Sequence, residues 1–332
     1  MPVLRINATH EKLQMHESTM AVPDVLVAES HKAGPIVIMI HGYKYIPNDP
    51  VHCPHRKIFS ASEQGWPKQL GFLTGQPNEG LCIAFGWFAR GPLRQAHRRA
   101  TKLGENLASL INNLRTIAPD RPIHVIAHSL GSEIALSALE HLNAHKVERM
   151  LLLTGASFHS KARDMLNTPA GLSTELFNVT SRENDLFDLA FEHMVTAPEL
   201  HDRAIGQGLS APNAVNLQLD CDKTLDAFAL LGLPVARAQR RVCHWSAYQR
   251  PGIMALYTEI LRNCDTFTQS RLAGLLPSAA APRWSRFLPR KDAGIGNATP
   301  AIVRPFAPLA LKMKNRIMSV TSAQGNKNEH AY

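Results

Sequence analysis

No apolar run in this 332-residue sequence is long enough to span a bilayer, and its N-terminus lacks the basic-then-apolar stretch of a signal peptide. Both absences point to a cytoplasmic protein. Cysteine is sparse: Cys53, Cys82, Cys221, Cys243 and Cys264 are odd in number, scattered, and never in C-x-x-C spacing. Neither a disulfide framework nor a zinc site is signalled, and reduced thiols fit the cytoplasm. His52-Cys53-Pro54-His55 carries metal-ligating residue types, but the spacing fits no standard site and no matching cluster stands elsewhere. No metal and no other cofactor is expected.

What is present is a globular composition, 45% hydrophobic and 19% charged, in a chain long enough for a full-sized core. The net charge of +9 is unevenly spread: ten Lys or Arg against three acids from Cys264 onward leave only +2 for the first 263 residues. The body gives no electrostatic reason to bind nucleic acid. Residues 264–332 change character, rich in Pro, Ala, Gly and basic residues and poor in periodicity, and are expected to form a flexible basic tail behind a domain spanning 1–263. Trp284 and Phe287, and Leu309, Met313 and Ile317 beside Lys312, Lys314 and Arg316, would allow weak binding of that tail to an anionic surface. Oligomeric state is not legible.

Buried-strand patterns stand in the run Pro35–Tyr43, at Leu81–Trp87, from Ile123 up to Ser129, at Val147–Thr154 and at Leu176–Thr180, with a further candidate at Val215–Leu219. Two short candidates precede them, Val3–Ala8 and Val25–Ala28, read as antiparallel entry strands. Between Leu81–Trp87 and the strand from Ile123, Leu93, Ala96, Ala100, Leu103, Leu107, Leu110 and Leu114 recur every three or four residues, with Pro92 at the start and Pro119 beyond the end. Strand, helix, strand is the crossover unit of a parallel sheet, so the fold class is α/β with a mainly parallel sheet flanked by helices. Gly155–Thr174 is too short for a large lid, while 189–241 is hard to read and could cover a site.

The chain is organised around Ile123–Leu136, where an apolar strand runs into Ala127-His128-Ser129-Leu130-Gly131 and then a helix. A nucleophile elbow needs small residues two before and two after its serine, and Ala127 and Gly131 meet that steric demand. The other strand that matters ends on His41-Gly42-Tyr43. Together these two strand ends resemble the alpha/beta-hydrolase superfamily of esterases and lipases, over about residues 1–263. The resemblance implies Ser129 as nucleophile and an oxyanion hole built from the backbone N–H groups of Tyr43 and Leu130, with His41 and Gly42 shaping the loop.

The same resemblance places an acid just after Leu176–Thr180 and a histidine before the last helix. Asp185 and His244 occupy those places, in the chain order Ser129, Asp185, His244. Glu183, Asp188 and Asp220 compete for the acid. His128, as neighbour of the serine, would point away from it. Implied is a serine hydrolase acting on a small-molecule carboxylic ester through an acyl-enzyme, with amide, thioester and lactone cleavage open. A non-catalytic binding protein on the same fold is the alternative of another class. Since His244 must be neutral to accept the serine proton, kcat/KM is expected to rise through one ionisation in the neutral range.

Overall fold

The computed structural model describes residues 3–29 and 33–287. Eight strands form one sheet: β1 (Val3–Ala8), β2 (Leu13–Met15), β3 (Ile36–Ile40), β4 (Leu81–Trp87), β5 (Ile123–His128), β6 (Arg149–Leu153), β7 (Glu175–Thr180) and β8 (Ala214–Gln218). The helices are α1 (Val22–Glu29), α2 (Pro54–Lys57), α3 (Trp66–Gln69), α4 (Leu93–Ile117), α5 (Gly131–Ala138), α6 (His159–Leu166), α7 (Pro169–Leu172), α8 (Asp185–Met194), α9 (Asp222–Leu230), α10 (Ser246–Gln249), α11 (Ile253–Arg262) and α12 (Gln269–Leu275). Strand order is β2-β1-β4-β3-β5-β6-β7-β8, and every pair is parallel except β1 with β2.

The strands read as continuous apolar runs because both faces are covered. Ile36, Ile38 and Ile40 of β3 face a layer with α4 and α5, while Val37 and Met39 face the side of Phe72, Leu256 and Ile260. The same alternation in β5 sends Val125 and Ala127 one way and Ile126 the other. Helix α4 turns Ala96, Ala100, Leu103, Leu107, Leu110 and Leu114 inward at the spacing read from the sequence.

Two readings at the N-terminus are corrected. β1 runs parallel to β4, so only β2 is antiparallel to its neighbour. Val25–Ala28 lies in α1, where Val22 and Leu26, one helical turn apart, are the buried pair. The boundary at 263 also falls inside the body. Beyond it, Phe267, Leu272 and Leu276 are buried, and the Gln269 side chain donates to the Ala214 carbonyl at 2.8 Å. Arg283 pairs with Glu192 at 2.8 Å, and Arg286 donates to the Arg240 carbonyl, so these cations serve the body. Arg271 lies in α12, where its side chain donates to the Thr266 carbonyl at 2.9 Å, while the basic residues from Arg290 onward, and Leu309–Ile317, lie outside the described residues.

All five cysteines are free. In the histidine-rich loop, His55 bonds Asn7 at 2.7 Å and lies 4.1 Å from the His16 ring, and Cys53 Sγ is 3.9 Å from His16. Among the described residues no helix is long and apolar enough to cross a membrane.

Candidate active site

Parallel strands bring their C-terminal ends to one edge, and there β3 and β5 lie side by side. Ser129 follows β5 with φ 53°, a left-handed conformation costly for any residue with a Cβ. Its backbone is held on both sides: its N–H donates to Leu153 at 3.0 Å, and its carbonyl accepts from Ser132 and Ala156, each at 3.0 Å. Gly131, two residues on, is required by space, because a Cβ there would lie 2.7 Å from the His41 carbonyl oxygen. Gly42 is equally constrained. A Cβ on it would stand 2.7 Å from Ser129 Cβ and 2.9 Å from His128 Nδ1. The loop after β3 therefore lies directly against the elbow.

His41 clamps that loop. Its Nε2 accepts from the Trp87 N–H at 3.0 Å and its Nδ1–H donates to the Gly42 carbonyl at 2.8 Å, while the Trp87 indole N–H donates back to the His41 carbonyl at 3.0 Å. One tautomer alone satisfies both ring contacts. Burial pushes its imidazolium down to about 3, so the clamp is neutral. Next in the loop, the Tyr43 hydroxyl donates to the Gly91 carbonyl and the Lys44 N–H to Ala89 at 2.8 Å, with Lys44 at φ 78°. The Tyr43 and Leu130 N–H groups make no hydrogen bond to protein among the described residues.

His244 arrives on the loop before α10 and is tied to the elbow through its backbone. The His128 Nε2–H donates to the His244 carbonyl at 3.2 Å, and the two rings lie 4.7 Å apart. This gives His128 a role that sequence reasoning missed: it turns away from the serine and anchors the histidine loop. The His244 ring stacks on Phe187 at 4.6 Å. Its Nδ1–H donates to Asn184 Oδ1 at 2.6 Å, which leaves the Nε2 lone pair free to accept a proton. No hydrogen bond joins Ser129 Oγ to His244 among the described residues. Burial, then His128 and the Lys44 ammonium, hold the His244 imidazolium well below its ordinary range. His244 is therefore held neutral in the fold across physiological pH.

The expected acid is corrected. Asp185 does not meet His244; its carboxylate pairs with Arg182 at 3.3 Å and accepts from the Gln207 side chain at 3.3 Å and the Trp284 N–H at 2.7 Å. Asn184 stands in its place because Ser181 caps a three-residue 3₁₀ turn, Arg182–Asn184, and the last residue of that turn faces the histidine. The competing carboxylates are engaged elsewhere. Glu183 forms a buried pair with Arg250, and Asp220 accepts from the Arg182 N–H at 3.0 Å. Asp188 stands behind Asn184, whose Nδ2 donates to Asp188 Oδ1 at 2.8 Å. A search confined to carboxylates could not find an amide at this position.

The family model described as "Alpha/beta hydrolase of unknown function (DUF900)" matches residues 17–177. Among solved structures, the Bacillus licheniformis lipase BlEst2 in mature form is similar at 16% identity over 56% of this chain and 82% of that one, with a TM-score of 0.35. A Trichoderma reesei cutinase in complex with a phosphonate inhibitor is similar at 14% identity, covering 47% of this chain and 73% of its own, TM-score 0.26. An acetyl xylan esterase is similar at 13% identity, covering 72% of this chain and 99% of its own, TM-score 0.32. No curated protein matches the sequence.

Proposed function

We propose, with the alpha/beta-hydrolase fold of this chain as the premise, that the protein is a serine hydrolase of small-molecule carboxylic esters. Ser129 Oγ attacks the acyl carbonyl while His244 Nε2 takes its proton, and the developing oxyanion is met by the Tyr43 N–H from the loop after β3 and the Leu130 N–H at the start of α5. His244 then returns the proton to the leaving alkoxide. Water repeats the sequence on the acyl-enzyme. Asn184, rather than Asp185, holds His244 in the tautomer that this transfer needs.

The observation that carries this reading is the conjunction at one sheet edge of a left-handed Ser129, a loop packed onto it through Gly42, and a histidine whose Nδ1–H is engaged. Backbone strain of this kind persists only where surrounding contacts enforce it. An ester asks less of a site whose base is neutral but weak than an amide does, while thioester and lactone substrates use the same groups. The missing carboxylate favours one competing reading, a binding protein that keeps the fold without turnover, because a neutral amide stabilises an imidazolium less than a carboxylate does.

A fluorophosphonate probe separates the two, since it reacts only with an activated serine. Labelling and hydrolysis of nitrophenyl esters are expected in the wild type and absent in Ser129→Ala, with the circular dichroism spectrum unchanged. A wild-type protein that neither labels nor turns over any ester, or a Ser129→Ala variant that still does, would overturn the hydrolase reading.

A further inference from the structure

An amide in the acid position poses a problem that a carboxylate does not. A carboxylate accepts on both oxygens, so whichever way it turns it draws a proton to the adjacent imidazole nitrogen. An asparagine has one accepting end and one donating end. If the Asn184 amide turned over, its NH₂ would face His244 Nδ1, the ring proton would move to Nε2, and His244 could no longer accept from the serine. Something must fix the direction of the amide.

The carboxylate hydrogen-bonded to the Asn184 side chain is Asp188, one helical turn along α8 and buried, with Asn184 Nδ2 to Asp188 Oδ1 at 2.8 Å. An ionised carboxylate offers no donor, so the donating end of the amide faces Asp188 and the accepting end faces His244, where the distance is 2.6 Å. We propose that Asp188 is a positioning residue that sets the tautomer of His244 through the Asn184 amide. The functions of one triad carboxylate are thereby divided between two side chains. Asn184 supplies the contact and Asp188 supplies the polarity. The proposal rests on the hydrolase reading for its catalytic consequence, though not for its structural one.

Asp188 is set up to act as a switch as well as a prop. It faces Arg182 from the turn after β7, Gln207 (3.3 Å) from the turn before β8, Arg283 from the C-terminal segment, and Asp185 and Glu192 from its own helix. Burial raises its carboxyl to about 7 against the pull of Arg182 and Arg283, with Asp185 and Glu192 adding to the rise. A protonated Asp188 presents a donor and no longer forbids the reversed amide. Activity therefore falls on acidification through the ionisation of Asp188, at a pH where His244 itself is still neutral.

The test combines kinetics with ¹⁵N NMR of histidine-labelled protein, assigned by a His244→Gln variant. In the wild type at pH 8.5, His244 is expected as the Nδ1–H tautomer, shifting toward a mixture as pH falls through about 7. Asp188→Asn should lower kcat about 10- to 100-fold with little change in KM and remove the neutral-range inflection. Asn184→Asp combined with Asp188→Asn should recover much of the loss, because a carboxylate on His244 needs no orienting neighbour. A structural role alone predicts no such rescue. A His244 tautomer that is constant from pH 6 to 8.5 in the wild type would overturn the proposal whether or not any ester is turned over. If Asp188→Asn fails to fold, this wild-type titration still decides. A protein that shows the tautomer shift but hydrolyses nothing would uphold the relay and reject the hydrolase reading.

Discussion

Acid should unfold this protein steeply, and the reason is histidine. His41, His55, His124 and His128 are buried and His244 is partly so, and all are neutral, with imidazolium ionisation pushed to about 3, 2, 3 and 4 for the first four and well below the ordinary range for His244. Their folded values lie below the unfolded one, so the stability they confer is complete above about pH 6.5 and is lost as pH falls toward the folded values. Near pH 5.5 the unfolded chain binds roughly 0.9 proton at each of the first four and the folded chain essentially none, about 3.6 protons in all, and His244 adds in the same direction. Asp188 works the other way: raised to about 7, it holds a proton in the fold that the unfolded chain releases. The net difference of roughly 2.6 protons from these groups gives a loss of about 3.5 kcal/mol per pH unit. Against a typical total of roughly 5–15 kcal/mol, the fold should be failing by about pH 4.5. Urea unfolding followed by circular dichroism at pH 7.5, 6.5, 5.5 and 5.0 measures the slope directly. His124→Gln, remote from the serine, should reduce it by about one proton. A slope below one proton in the wild type would mean that the imidazoles ionise inside the fold, and the burial argument would fail.

Two further changes test the packing around the site. Gly42→Ala places a methyl 2.7 Å from Ser129 Cβ and 3.0 Å from the His128 carbonyl oxygen, so backbone must shift; kcat/KM should drop about 10²-fold, as for a misplacement near 1 Å, and unchanged ester kinetics would show that this loop does not frame the reaction. Leu272→Ala in α12 removes a fully buried side chain and should cost about 2–5 kcal/mol in denaturant titrations, whereas a neutral result would return α12 to a dispensable tail.

The sheet was legible because parallel strands covered on both faces leave uninterrupted apolar runs, and the elbow because its steric demands fall on named neighbours, Ala127 and Gly131. Less visible was anything decided by partners distant in sequence. Val25–Ala28 looks extended until Val22 is seen to bury the same face as Leu26. The stretch after Cys264 lacks periodicity because its order comes from single contacts, such as the Ala281 N–H on Gln218 Oε1 at 2.7 Å, rather than from a repeated face. At the site, five consecutive residues, Ser181 to Asp185, offer two carboxylates and one amide, and only the 3₁₀ turn selects among them. No rule of residue type would choose the asparagine. The bond from the His128 ring to the His244 carbonyl spans a separation of 116 residues and leaves no local trace in the sequence.

The Trp284 N–H that meets the Asp185 carboxylate lies 99 residues downstream of it. During synthesis at roughly 5–20 residues per second, the start of α8 therefore waits about 5–20 s for its last partner after its own residues have been made. Throughout that interval the elbow, the clamp and β7 can already be in place, while the helix carrying Asp188 begins on an acid facing only Arg182 and Gln207. A chain halted between His244 and Trp284 would hold the residues of the elbow, the clamp and the histidine loop, with the start of α8 still lacking its last partner. Maturation of the two halves of the site is thus ordered in time by the direction of translation.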